Sequence, residues 1–408
     1  MIPFSPPYID NDVLKEVEST LKSGWITTGP KVKALEHEIA ASGGIDYALC
    51  INSATSGLML ALRWFGVGPG DEVIIPSYTY CATALAVYHL GAKPVMVDII
   101  DDLSINPEAI RKAITNRTKA IIPVDIAGWP AHYNEISDII KNPLIQGLFN
   151  PSSKEQKMLN RILILSDAAH SIGARYKGRP SGSLADLTVL SFHAVKNITT
   201  AEGGAICINL PQPFISSEVY DIMRLMCLNG QTKDAFTKNE FGGWRYDIVL
   251  PGFKMNMPDI CAAIGLAQIR KYKSKIYPAR KRIALRYQRL FSKYAWAQLP
   301  TLSYDQTESS YHIFALRING VSESQRDDII KEISAYQVSV NVHFIPLPML
   351  SIFKNMGYNI LDHPIAFSNY SREISLPIYP QLTDEQVDYI VQCVAVSYEK
   401  VVTNDQIL

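Results

Sequence analysis

Three short stretches of this chain carry residue types that could do chemistry together. In CINSATSGLMLAL, Ser53, Ala54, Thr55, Ser56 and Gly57 follow an apolar run and open a helix-like one. Free backbone N–H groups, hydroxyls and the positive end of a helix converge there, which makes a phosphate cradle. Taken alone, such a start is more often only a helix cap. In LILSDAAHS, Asp167 ends an apolar strand, where open α/β sheets place ligand groups, although capping is the commoner role for a lone aspartate. In LSFHAVKNITTAEGGAI, Lys196 lies just past another strand end, before Gly203 and Gly204, and a single lysine there is usually a solvated cation. Together the three are the parts a pyridoxal phosphate enzyme needs. Lysine forms an imine with the aldehyde, the acid keeps the ring nitrogen protonated so that the ring accepts electrons, and the helix end holds the phosphate.

Groups at strand ends presuppose a sheet that brings the ends together. Apolar, β-branched runs recur at 47–52, 72–76, 94–99, 119–126, 161–167, 187–193 and 204–209. Their near-continuous apolarity, without alternation, is what strands buried on both faces require, so an α/β fold with a seven-stranded, mostly parallel sheet is expected. Between strands, Leu58, Leu62 and Phe65 fall on one helical face, and GVGPGD (66–71) breaks that helix. The glycine cluster lies after a helix and before a strand, the reverse of a dinucleotide loop. Residues 141–160 read as an excursion between a helix and the next strand.

After GFKMNMPDICAAIGLAQIRKY (252–272) shorter α+β elements follow. The expectation is a large domain over 15–274 and a smaller α+β C-terminal domain over 275–408. The N-terminal segment 1–14 is expected to pack on the smaller domain, and helix 13–24 to complete it.

Composition narrows the function classes. In 408 residues, lysine plus arginine number 39 and so do aspartate plus glutamate, so no global field draws nucleic acid or an anionic membrane. Hydrophobic residues at 47% and charged residues at 19% describe a folded chain whose surface another subunit could cover. No apolar run is long enough for a transmembrane helix, and the acidic, proline-containing start lacks the features of an export signal, so a cytoplasmic protein is expected. Cys50, Cys81, Cys207, Cys227, Cys261 and Cys393 are scattered without metal-ligand spacing, so no metal is expected and buried free thiols are.

The chain resembles the DegT/StrS group of nucleotide-sugar aminotransferases, within the fold-type-I pyridoxal phosphate enzymes. The resemblance rests on SGWITTGPKVKALE (23–36), GDEVIIPSYTYCATA (70–84), DAAHSIGARYKGR (167–179), SFHAVKNITTAEGG (191–204), GFKMNMPDICAAIGLAQI (252–269), VHFIPL (342–347) and SLPIYPQLTDEQVDYI (375–390). It implies Lys196 as the imine lysine and Asp167 as the partner of the pyridine nitrogen. It implies His170 beside the ring, Tyr80 stacked on it, and Ala54, Thr55 and Ser191 at the phosphate. His193 matches a histidine of the lysine segment, for which ordering the loop and catalysis both stand open.

Where many members carry an asparagine that reaches the phosphate from the partner subunit, this chain has Lys254 and then Asn256. Pro348 stands near the place of a second family histidine, beyond His343. Trp25, Ile26, Thr27, Thr28 and His343 are the walls expected to orient the sugar. The implied reaction moves an amino group, from glutamate, to a keto carbon of a nucleotide-linked sugar, at C4, for surface polysaccharide or glycoconjugate synthesis. The implied assembly is a homodimer with shared active sites. A related dehydratase would carry histidine in place of Lys196, and a silent cofactor-binding sensor would keep its lysine–cofactor absorbance when glutamate is added.

Overall fold

The apolar runs form the sheet. In the computed structural model, which describes residues 1–232 and 244–405, the strands are β1 (Tyr47–Ile51), β2 (Glu72–Pro76), β3 (Lys93–Val97), β4 (Thr118–Ile121), β5 (Leu163–Asp167), β6 (Leu187–Ser191) and β7 (Gly204–Ile208). Their spatial order is β1-β7-β6-β5-β4-β2-β3. All run parallel except β7, which is antiparallel to both β1 and β6. Burial on both faces explains the unbroken apolarity of β2, β5, β6 and β7. The strand expected over 119–126 stops at Ile121. Pro123 has no N–H for the ladder, and beyond it only an isolated bridge from Val124 to Asp167 continues the pairing.

Helices cover the sheet, among them α1 (Asn11–Lys22), α2 (Pro30–Gly43), α3 (Ala54–Trp64), α4 (Cys81–Tyr88), α5 (Asp259–Lys271) and α6 (Tyr277–Phe291). Helix α3 is capped by Ser53, whose Oγ accepts from Ser56 N at 3.1 Å, and it buries Leu58, Leu60, Ala61 and Leu62 on the sheet. It ends at Gly66, whose φ of +83° suits a residue without Cβ.

The excursion over 141–160 is ordered into two short helices, Pro143–Leu148 and Lys154–Leu159, capped by Asn142 and Ser153. Ser153 Oγ and Gln156 Nε2 both donate to the Phe65 carbonyl, at 2.9 and 3.0 Å, just past the end of α3. A Cβ on Gly66 would come within 2.5 Å of Ser153 Cβ, so the brace needs glycine there too.

Beyond α5 a π-turn over Tyr272–Ile276 leads into α6 and a second sheet of Ala297–Gln298, Phe314–Ile318 and Glu373–Leu376, antiparallel throughout. Ile283, Tyr287, Phe314, Ile329, Ile374 and Ile390 centre its core. The N-terminal chain divides its contacts. Ile2 pairs with Val338 and joins that core, whereas α1, expected beside the smaller unit, packs along α5. Lys271 Nζ fixes the helix start, 2.7 Å from both Asp10 and Asp12. The cysteines are free thiols, but Cys81 and Cys261 are only half-buried, a correction to the expected burial of all six. Among the described residues no helix is long and apolar enough to cross a membrane.

Candidate active site

The carboxyl ends of β5 and β6 and the start of α3 open onto one cavity of about 460 Å³. Ala54, Thr55, Tyr80, Asp167, His170, Ser191, Lys196 and His343, all expected from the sequence, line it. The first N–H groups of α3, at Ala54 and Thr55, face no preceding turn of their own helix. Ser191 ends β6, with its Oγ 3.4 Å from His193 N. Gly204 passes directly behind the cradle: a Cβ there would stand 2.9 Å from Ala54 N and 2.6 Å from Leu190 O. Only a residue without a side chain fits there.

Asp167 is buried, and its carboxylate has few partners. Oδ2 accepts from Thr83 Oγ1 at 2.8 Å and Oδ1 from Ala169 N at 3.3 Å. Burial pushes its pKa up, while Thr83, the Ala169 N–H and the charge of Lys196 pull it back. Burial pulls the Lys196 amine down to about 8, against the attraction of Asp167. A buried acid and a half-buried lysine with a desolvated amine thus share one cavity, each short of a group that would offset its desolvation. A cationic ring nitrogen beside the acid and an aldehyde at the amine would meet both needs, and the α3 N-terminus offers a phosphate its donors. The donor set therefore fits pyridoxal phosphate.

Three aromatic neighbours shape the rest. His170 Nδ1 accepts from Ala127 N at 3.3 Å, which leaves Nε2 to carry the ring proton. Its ring lies between His312 and Phe344, with centroids 4.4 and 5.8 Å away. Burial, helped by Lys196 and His343, holds His170 well below the usual histidine range. His343 Nδ1 pairs with Ser375 Oγ at 2.9 Å, and burial pushes it down to about 4. Tyr80 stands at the mouth, 60% exposed, tilted against Phe344 at 5.7 Å. His193 is exposed. Its carbonyl accepts from Lys196 N at 2.9 Å and its Nε2 lies 3.6 Å from Glu202, contacts that order the lysine loop.

The remaining expected residues lie elsewhere. Trp25, Ile26, Thr27, Thr28, Lys254 and Asn256 do not line this cavity. They form a pair of outer loops tied to each other. Asn256 Nδ2 donates to Thr28 Oγ1, and Thr28 Oγ1 to Met257 O, both at 2.6 Å. Asp259, at the start of α5, is fully buried and caps α2 from outside. It accepts from Gly29, Lys31 and Val32 N at 2.8, 3.1 and 3.0 Å. Gly29 has no side chain to cap its own helix, so a distant carboxylate takes that place. Thr27, Ile26 and Lys254 are exposed.

Sequence reasoning missed several residues that line the cavity or support it from behind. Thr83, which holds Asp167, sits one turn after Tyr80 in an otherwise apolar helix, and that isolated hydroxyl was its signal. His312 precedes the strand Phe314–Ile318. Phe4 and Ser5 also line the cavity: Phe4 stacks on His343 at 5.4 Å and Ser5 Oγ donates to Val195 O at 3.1 Å. Behind Asp167, Asp125 accepts from Ala131 N, Tyr133 OH and Ser171 Oγ at 2.9, 2.8 and 2.6 Å, and burial pushes its pKa up to about 6. No local pattern marked it.

Known proteins resemble this chain over nearly its whole length. A model of the DegT/DnrJ/EryC1/StrS aminotransferase family matches residues 7–148 and 153–395. The spore coat polysaccharide biosynthesis protein SpsC of Bacillus subtilis is 36% identical over 400 residues, covering 96% of either chain. Spr1654 of Streptococcus pneumoniae, described as a sugar aminotransferase, superposes in its PMP form with a TM-score of 0.94 at 44% identity, covering 98% of this chain and 100% of its own. Its PLP form gives 0.93 at 43%, covering 98% and 99%. PseC of Helicobacter pylori, an aminotransferase involved in pseudoaminic acid biosynthesis, gives 0.84 at 28%, covering 98% and 99%. The fold is that of the fold-type-I sugar aminotransferases, and the chain belongs to the DegT/DnrJ/EryC1/StrS aminotransferase family of pyridoxal phosphate-dependent sugar aminotransferases.

Proposed function

We propose that this enzyme moves an amino group from glutamate to the C4 keto carbon of a nucleotide-linked sugar, in the cytoplasm, for surface polysaccharide or glycoconjugate synthesis. The observation that carries the transfer chemistry is the shared cavity of Lys196, Asp167 and the α3 start. SpsC, a spore coat polysaccharide protein, and PseC, of pseudoaminic acid biosynthesis, support the product class. When bound, pyridoxal phosphate supplies an electron sink and a carbonyl that exchanges amino groups. Lys196 holds the cofactor and then moves a proton at the donor's α-carbon. With its pKa at about 8, the amine both accepts and gives up a proton near neutral pH. Asp167 would hold the ring nitrogen as a charge-assisted partner, and the His170 Nε2–H would donate to the phenolic oxygen. Tyr80 stacks on the ring, and Ala54, Thr55 and Ser191 hold the phosphate. The lysine at 196 argues against a dehydratase.

The outer loops make a dimer part of the proposal. Lys254 and Asn256 reach the phosphate, and Trp25, Thr27 and Thr28 the sugar, of the other subunit's cavity, with His343 completing the sugar wall. In each subunit a large domain over 15–274 carries the cavity floor and a smaller one over 275–408 its roof, with segment 1–14 crossing between them.

Borohydride reduction and peptide mapping test the core of this reading: the pyridoxyl group is expected on Lys196, and its recovery on another lysine overturns the assignment. Absorbance lost on adding glutamate and regained with a 4-keto nucleotide sugar tests the rest. Recovery with 3-keto isomers alone refutes the position, and no loss at all marks a silent binder.

A further inference from the structure

At the inner end of the cavity two histidines lie against each other with their ring planes tilted by 42°, and the chemistry above gives a task to only one of them. His312 is buried, with its ring centroid 4.4 Å from that of His170. Its Nδ1 is 2.9 Å from Oδ1 of Asn197, the residue that follows Lys196. The other end of that amide fixes which way it points. Asn197 Nδ2 donates to Ser310 O at 2.9 Å and lies 3.3 Å from Tyr272 OH, which itself donates to Ile172 O at 2.6 Å. Asn197 Oδ1 can only accept, so His312 Nδ1 carries the ring proton and Nε2 is bare.

The groups facing His312 are His170, Lys196, Arg280 and His343, with Tyr272 beyond Asn197 and Asp167 across the cavity beside Lys196. Arg280 Nη1 also donates to the His312 carbonyl at 3.3 Å. Among the described residues no carboxylate faces the ring. Burial, with the charges of Lys196 and Arg280 nearby, keeps it neutral, as a one-way donor to Asn197 requires.

We propose that His312 is a positioning residue: its Nδ1–H fixes Asn197, and with it the loop that carries Lys196, while its ring face supports His170. The inference rests on the reading of Lys196 as the lysine that holds the cofactor. It separates two contributions from one side chain. The donor acts on Lys196, and the ring acts on His170.

Two substitutions divide those contributions. His312→Phe keeps a ring and removes the donor, whereas His312→Asn places an amide N–H near the Nδ1 position and removes the ring. The readout is the pH midpoint of the lysine-bound cofactor's absorbance in the holoenzyme. Without the donor, water reaches the Lys196 nitrogen and favours its protonated form, so His312→Phe is expected to raise the midpoint by roughly half a unit or more. The donor half-reaction is expected to slow about tenfold with KM little changed, and His312→Asn to return the midpoint to the wild-type value. Asn197→Ala serves as a second route should His312→Phe not fold: it is expected to raise the midpoint similarly.

An unmoved midpoint in His312→Phe, or equal shifts in His312→Phe and His312→Asn, overturns the proposal. Where His312→Phe does not fold, an unmoved midpoint in Asn197→Ala does the same. Borohydride mapping of the wild type keeps the two readings apart. Label on another lysine removes the reading beneath, while label on Lys196 with an unmoved midpoint removes only this one.

Discussion

The cavity and the outer loop pair hold the expected functional residues in opposite ways. In the cavity, partners come from the walls of the same chain: Thr83 for Asp167, the Ala127 N–H for His170, Ser375 for His343. At the outer pair, Asn256 and Thr28 bind each other, and Thr27 and Lys254 face outward. The first arrangement orients a ligand that enters it. The second is a prefabricated edge that can act only on something brought against it. Rigidity is local in both, so in the proposed dimer the neighbouring subunit need supply only placement.

Removing the amine tests the self-sufficient half most severely. Lys196→Ala is expected to cut transamination by at least about a thousandfold and to abolish borohydride labelling, while leaving the subunits' elution volume unchanged. Substantial residual turnover with glutamate would place the chemistry elsewhere.

Asp167→Asn keeps an acceptor for Thr83 but removes the charge. It is expected to retain cofactor absorbance and lose about a hundredfold in kcat. The sign of its pH effect follows from the same pair. Asp167 raises the Lys196 pKa, so the neutral variant should move the rising limb of the half-reaction, near pH 8 in the parent, to lower pH. A limb that stays in place would show that the two groups do not sense each other.

Subunit mixing tests the second half. A Lys254→Ala, Asn256→Ala double variant is expected to bind cofactor about tenfold more weakly. Mixed with Lys196→Ala, it should form hybrids in which one cavity regains an intact edge, so that activity exceeds the sum of the separate samples. No gain in verified hybrids would confine each edge to its own chain.

Asp259→Ala should have the mildest effect on chemistry. It leaves three buried or half-buried N–H groups at the start of α2 without their acceptor. A loss of about 2 kcal/mol in unfolding free energy is expected from denaturant titration, with Lys196 labelling intact. An unchanged midpoint would mean that water replaces the carboxylate.

How far the sequence reached follows the same division. Lys196, Asp167 and the Ser53–Gly57 turn were legible because strand ends in a parallel sheet must meet, whatever the loops do. Thr83 and His312 were not, since each serves a partner across the fold; the lone hydroxyl of Thr83 in an apolar helix does not say which group it serves, and His312 has no local pattern. The strand over 119–126 was read too long because its apolar run outlasts its hydrogen bonding, which Pro123 interrupts. The helices at 143–148 and 154–159 left signals that the polar composition masked: Asn142 before Pro143, and Ser153 three residues before Gln156. Trp25, Thr27 and Thr28 showed their type, but a sequence carries no record of which copy a loop will face, so the assignment of these loops to a partner's cavity belongs to the proposal.

The braced end of α3 has a mechanical consequence. An anion pulling on the first turn loads an eleven-residue rod about 16 Å long, and at its far end the Phe65 carbonyl is clamped by Ser153 and Gln156. The clamp lies directly beyond 149–152, the stretch that separates the two family-matched segments. The excursion over 141–160 thus anchors a tie-bar whose other end, in the proposed reading, would grip the phosphate. Nicking that excursion should loosen the grip at a distance, well before the sheet beneath it yields.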